Sequence, residues 1–136
     1  MHAQAILISI HPRHVQNIIK GTKDHEFRNY ELPTTKLWIY TTQPEATIQY
    51  KIITKPPTKQ PQQIAPGGVG NDAFNKQDKS AQYAHPIQEI YELQQPIPLK
   101  ELRAKHAVTP PQKYTYIQTH PSLQQTLQNR NLRRIK

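Results

Sequence analysis

The chain contains no cysteine. That absence excludes disulfides, thiolate zinc sites and cysteine nucleophiles, and it is compatible with a reducing compartment. Long apolar runs are missing too. The most hydrophobic stretch, Ala5 to Ile10, is shorter than a signal-peptide core and has no basic segment before it. Nothing approaches the roughly 20 apolar residues that cross a bilayer. These features predict a cytoplasmic protein with no membrane partner. Acidic residues are scarce, 9 against 18 Lys and Arg, which leaves a formal net charge of +9. So basic a chain attracts polyanions at long range and gains from counterion release at each phosphate contact. RNA, DNA, nucleotides and acidic surfaces all meet that description. Charge alone fits equally well a domain that is merely solubilised by its lysines and arginines.

What is present fits one domain over residues 1–136. Hydrophobic residues make up 35% of the chain and the mean hydropathy is −0.83, so a modest core and some solvated loop are expected. Ala5 to Ile10 reads as a buried strand. His11-Pro12 breaks it, and proline suits the first turn of a helix. Val15, Ile18 and Ile19 then fall at i, i+3, i+4, with Lys20 near the end and Gly21 at the left-handed stop. Further strands are expected at Thr22 to Arg28, Lys36 to Thr42, Ala46 to Thr54, Ile87 to Leu93 and Tyr114 to Gln118.

Residues 55–70 are rich in proline, glutamine, lysine and glycine and read as an extended loop or flap. One short helix is expected within Asn71 to Ser80, with Asn71 as its cap. A helical turn is expected at Pro98 to Ala104, and an amphipathic helix at Ser122 to Arg134 in a basic tail that begins near residue 119. Some six short strands with a few helices predict an α+β mixed barrel.

The informative stretch is Gly21-Thr-Lys23-Asp24-His25-Glu26-Phe27-Arg28. On a strand, Asp24, Glu26 and Arg28 share a face, and Lys23 stands just after the glycine turn. Arginine offers a planar fork to phosphate or a base edge, and a carboxylate accepts from a base amine. The plain alternative is a Glu26–Arg28 surface ion pair worth at most about 1 kcal/mol.

Gly21-x-Lys23-x-x-Glu26-x-Arg28 resembles the G-x-K-x-x-E-x-R signature of ASCH domains. Its surroundings are similar as well: a strand, a His-Pro step and a helix before it, and Ile39-Tyr40-Thr41-Thr42-Gln43-Pro44 after it. Pro96-Ile-Pro-Leu99-Lys-Glu-Leu102 and Pro110-Pro-Gln112-Lys-Tyr114-Thr-Tyr116 resemble two late family segments. The resemblance runs in order from Ala5 to Tyr116.

It implies a PUA-like fold, a small mixed β-barrel with short flanking helices. It also implies a cleft beside the first helix where the motif faces a ligand, RNA or a nucleotide. Relatives that resemble a G-x-K-x-x-T-x-R version are amidohydrolases of acetylated cytidine. Glu26 stands here at the position of that threonine, so the proposed nucleophile is absent. Another relative is described as a ribonuclease.

Other residues carry two readings each. Trp38 and Tyr40 share one face of their strand, and Leu37 and Ile39 the other. Core packing is the commoner fate of the tryptophan, and Tyr40, just before Thr41-Thr42, is the better stacking candidate. Gln112, Tyr114 and Tyr116 suit a cleft wall or a half-buried edge strand. His11 and His14 have a metal-compatible spacing but no third ligand near them, so no metal and no cofactor is expected. Ser9 and His25 form no recognisable nucleophile motif. Arg130, Arg133, Arg134 and Lys136 suit a phosphate backbone or simple solubility.

The leading expectation is a module that binds RNA or a modified nucleotide through Lys23, Glu26, Arg28, Tyr40, Thr41, Thr42 and Gln112. A small nucleoside or RNA hydrolase, with Lys23 and Glu26 as its catalytic groups, is the alternative. A protein-interaction adaptor is the third reading.

Overall fold

A computed structural model describes residues 4–77 and 80–136. Strand β1 (Ala5–Ile10) leads into helix α1 (Pro12–Lys20), followed by β2 (His25–Arg28), β3 (Lys36–Thr41), β4 (Thr47–Thr54) and the two-residue β5 (Thr58–Lys59). Then come α2 (Asn71–Asn75), the long β6 (Tyr83–Pro98), α3 (Leu99–His106) and β7 (Tyr114–Tyr116). A 3₁₀ turn (Ile117–Thr119), α4 (Pro121–Asn129) and β8 (Leu132–Arg134) complete the order.

The strands form one mixed sheet in the order β2-β6-β4-β3-β1-β7, with β5 and β8 also paired to β6. β1 and β3 run parallel, joined by a crossover through α1, and the other pairs are antiparallel. The sheet curls into a half-barrel, an α+β architecture with four helices among the described residues. Among the described residues no helix is long and apolar enough to cross a membrane.

Two apolar clusters lie on the two faces of the sheet. Ile6, Ile8 and Ile10 pack with Val15, Ile18, Leu37, Ile39, Ile52 and Ile90. Leu7 turns the other way, to Trp38, Tyr40, Ile48, Leu93, Leu102, Leu123 and Leu127. β1 is therefore covered on both faces, which is why its sequence is apolar without alternation. The Leu37/Ile39 and Trp38/Tyr40 split of β3 follows the same period of two.

Helix α1 is closed at both ends by local chemistry. The His11 ring nitrogen accepts from the Arg13 N–H at 3.1 Å, and Pro12 occupies the first turn. Gly21 adopts φ +84°, and the N–H groups of Gly21 and Thr22 return to the carbonyls of Ile18 and Asn17. This is the left-handed glycine stop expected from the sequence, and it turns the chain toward β2.

Several expected elements differ. Thr22 to Asp24 are not in β2, because the N–H groups of Thr22 and Lys23 are committed to the Asn17 carbonyl. β6 spans 16 residues where seven were expected. Its prolines concealed its length; Pro86 and Pro96 sit beside the irregular stretches of its ladder with β4, where a missing N–H is tolerated.

Residues 55–70 are not a bare flap. They carry β5, and the Val69 N–H bonds to the Thr22 carbonyl. Gly70, not Asn71, precedes α2 as its cap, and the Asn71 carboxamide bonds instead to Asp24 and the Ala65 carbonyl. The span expected for that helix also includes residues 78 and 79, which lie outside the described residues. The last helix ends at Asn129, and Leu132–Arg134 leaves it to pair with Tyr91–Leu93 of β6. The described residues form eight strands, where six or so are expected.

Candidate functional site

The motif residues reach one place by two routes. β2 is held against β6 with Glu26 opposite His85 and Arg28 opposite Tyr83, so Glu26 and Arg28 project from one face. Lys23 precedes the strand and reaches back from the glycine turn. Its ammonium lies 3.9 Å from one Glu26 oxygen and 4.7 Å above the Phe27 ring centre. Arg28 donates through Nε and Nη2 to the other Glu26 oxygen, at 3.1 and 2.8 Å, and through Nη2 to the Ser9 carbonyl at 3.3 Å.

Burial gives this cluster its meaning. Lys23 is 4% exposed and Glu26 5%. Charges so enclosed persist only when paired, and two cations around one carboxylate leave a local charge of +1. The cluster forms the wall of an open hollow of about 250 Å³, which Ser9, His11 and His14 also line. His11 and His14 meet edge-on, with ring centres 6.3 Å apart. This hollow lies beside the first helix, between the start of α1 and β2.

His85 fixes the carbonyl behind the site. Its Nε2 accepts from the Leu32 N–H and its Nδ1 donates to the Glu26 carbonyl, both at 3.1 Å. Those partners require the neutral ring. Burial, acting against the attraction of nearby Glu26, holds the His85 pKa below the ordinary imidazole value.

Asp24 does not join the cluster, although alternation would have placed it there, because the strand starts only at His25. It bonds to His25 at 2.7 Å and accepts from Asn71 at 2.9 Å. Burial raises its pKa, but those hydrogen bonds and the His25 charge outweigh that and leave it below the usual carboxylate value.

Four other expected ligand residues stand elsewhere. Tyr40 is 3% exposed in the second apolar cluster, because its strand face is the packed one, so it presents no ring to a guest. Thr41 lines a different depression of about 300 Å³, with Val15, Ile19 and Tyr50 on the far side of α1. Thr42 donates its N–H to the Ile10 carbonyl and so ties the strand ends together. Gln112 is exposed outside the hollow, next to Pro111, whose carbonyl accepts from the Ser9 hydroxyl at 2.7 Å.

The hollow also contains residues the sequence had not assigned to it. Sequence pattern offers Ser9 no nucleophile motif and gives His11 and His14 a metal-compatible spacing, neither of which points to this hollow. Their common position at the β1–α1 junction was the available signal. Among the described residues no group of three His, Asp or Glu assembles a metal site.

The sheet order and the crossover through α1 define an α+β half-barrel. No family model and no curated protein matches the sequence. Solved structures do match. The crystal structure of ASCH from Zymomonas mobilis aligns over 93% of this chain and 96% of its own, at a TM-score of 0.68 and 19% identity. A tyrosine-to-phenylalanine variant of that protein aligns over 93% and 99%, at 0.68 and 20%. A serine-to-alanine variant aligns over 93% and 96%, at 0.67 and 21%. The chain therefore has the ASCH domain fold.

Proposed function

We propose that the hollow beside α1 binds a nucleotide unit of RNA. The observation that carries this reading is the convergence of Lys23, Glu26 and Arg28 on one open hollow, two of the three less than a tenth exposed. A surface ion pair needs no such enclosure. Arg28, whose Nε and Nη2 are held by Glu26 and the Ser9 carbonyl, presents Nη1 to phosphate or a base edge, Lys23 adds a buried cation, and the Glu26 oxygen facing Lys23 accepts a base N–H. The volume is near the lower end of ligand sites, roughly 300 Å³ and upward, and suits a single base better than a larger guest. The chain's net charge of +9 supplies salt-sensitive attraction around it.

The test is binding of a short single-stranded RNA by the wild type and by Arg28→Ala across a salt series. About tenfold weaker binding is expected for the variant, with a salt slope shallower by about one. Equal affinities at every salt concentration would remove Arg28 from the site.

A hydrolytic reading is favoured by a separate observation: Lys23 and Glu26 form an enclosed cation–carboxylate pair at 3.9 Å, beside Ser9 and His14. In that reading Lys23 polarises the reacting group and Glu26 moves the proton. Turnover of an N-acylated cytidine or a short RNA, lost in Lys23→Ala, would support it. No turnover across a broad panel would end it.

A further inference from the structure

A second, larger groove lies at the other end of β1. The first hollow is at Ser9 and this one at Ala5, roughly 13 Å away at about 3.3 Å per strand residue. The groove holds about 450 Å³ and shares no lining residue with the hollow. It runs between the β3–β4 surface and the segment from α4 to β8.

Its chemistry follows from strand register. Trp38 pairs with Lys51 across the β3–β4 ladder, and Lys36 is two residues from Trp38 on the same face. The two lysines are thus diagonal neighbours, a spacing of about 7–8 Å. The Lys51 ammonium lies 5.1 Å above the Trp38 ring. Among the described residues neither lysine has a carboxylate partner. Glu89, further across the sheet, is taken by Arg134 at 3.9 Å and by the Tyr91 hydroxyl. Arg130 is also committed, to Glu101 and to the carbonyls of Gln95 and Pro96. Burial, with the Lys36 charge added, holds the Lys51 pKa below its ordinary value. Two like charges are thus held together with no carboxylate opposite them among the described residues.

The opposite wall is lined by carboxamides, including Gln118, Gln124 and Asn131. These side chains carry both donors and acceptors. The Gln118 Oε1 is buried without a hydrogen-bond partner, a costly state that a ligand N–H relieves.

We propose that this groove is a second binding site, for a nucleotide whose phosphate meets Lys36 and Lys51 while its base faces the carboxamide wall. A bare phosphate would use the lysines and leave that wall idle. The volume lies in the usual range for ligand sites, about 300–1,000 Å³. The nucleotide is either free or part of an RNA strand.

Trp38 is the one tryptophan of the chain, so its fluorescence reports on this groove alone. The experiment titrates the protein with uridine monophosphate, inorganic phosphate and a short single-stranded RNA. A saturable Trp38 change with the nucleotide or the RNA is expected, with phosphate roughly tenfold weaker or worse. Saturation by the mononucleotide assigns a free nucleotide, and saturation by RNA alone assigns a strand. The Lys36→Gln and Lys51→Gln variants, singly and together, are expected to weaken the response about tenfold at far-ultraviolet circular dichroism equal to wild type. Lys105→Gln, at an exposed lysine outside both the groove and the hollow, is expected to leave it unchanged, and the RNA-binding loss of Arg28→Ala separately tests the hollow. The proposal is overturned by no saturation with either nucleotide or RNA. Phosphate binding as tightly as the nucleotide, Lys36 and Lys51 variants matching wild type, or loss of the Trp38 response in Lys105→Gln would overturn it equally.

Discussion

His85 holds the backbone carbonyl of Glu26, its register partner across the β2–β6 ladder, with one ring nitrogen, while the other nitrogen receives the Leu32 N–H. One neutral side chain thus joins the middle of β2 to the chain that follows it. The Glu26 carboxylate, on the same residue, carries Lys23 and Arg28. The position of the charged cluster therefore depends on a ring that must remain uncharged.

That dependence gives stability a pH profile. The folded pKa of His85 lies below the ordinary value near 6.5, so below that value the unfolded chain binds more protons than the folded one. Stability should be fully present above about pH 6.5 and decline as pH falls from there through the lower folded value. His106 shifts in the same direction, mainly through burial, and adds to the slope. His85→Gln should remove part of the dependence, leaving the His106 share. Urea denaturation between pH 5 and 8 checks this; identical slopes in the two proteins would refute it.

Removing Glu26 should destabilise the fold more than removing a surface carboxylate does. Glu26→Ala leaves the buried Lys23 and the half-buried Arg28 facing each other, and loss of one member of such a buried network costs about 3 kcal/mol. Glu26→Ala combined with Lys23→Met should recover part of the loss, because one of the two facing cations is gone. Urea midpoints of the two variants decide the matter.

Gly21 and Gly68 should fail for different reasons. A Cβ at Gly21 meets nothing within 4 Å, but the residue sits at φ +84°, so Gly21→Ala should cost about 1–2 kcal/mol through backbone strain alone. A Cβ at Gly68 would lie 2.7 Å from an Asp24 oxygen and 2.8 Å from the Asn71 amide nitrogen. Gly68→Ala should therefore break the Asp24–Asn71 tie and release the loop. Limited proteolysis within residues 55–70 should quicken in the Gly68 variant and not in the Gly21 variant.

The tail should protect β6. Ile90 donates to the Lys136 carbonyl and accepts from Ile135, and Gln94 donates to the Asn131 carbonyl. A chain ending at Arg130 lacks those partners and the β6–β8 ladder. Its Ile90 and Gln94 amides should exchange with solvent faster than in the full chain, while the Ile6 amide, in β1 at the far side of the sheet, keeps its protection.

The tail also marks where reading the sequence was misleading. Leu123, Leu127 and Ile135 suggested one apolar face, but Ile135 is a third exposed and lies beyond an edge strand. Helical spacing could not reveal that β6 offered hydrogen bonds to residues 132–134. Tyr40 misled in a similar way: its place just before the Thr41-Thr42 turn suggests a ligand role, whereas its strand face is packed against Ile48, Leu93 and Leu102. The motif was legible because its spacing is local. Glu26 and Arg28 share a face on any strand, and a left-handed glycine before Lys23 reverses the chain wherever a helix ends.

From the sequence alone came the α1 stop at Gly21, the split faces of β3 and the pairing of Glu26 with Arg28, all properties of neighbours along the chain. Only the tertiary structure decided that Lys23 and Glu26 are buried, that Ser9, His11 and His14 share their hollow, and that Lys36 and Lys51 stand together with no carboxylate partner among the described residues. Those depend on contacts between residues far apart in sequence, which are set by sheet register and by the faces the core leaves uncovered.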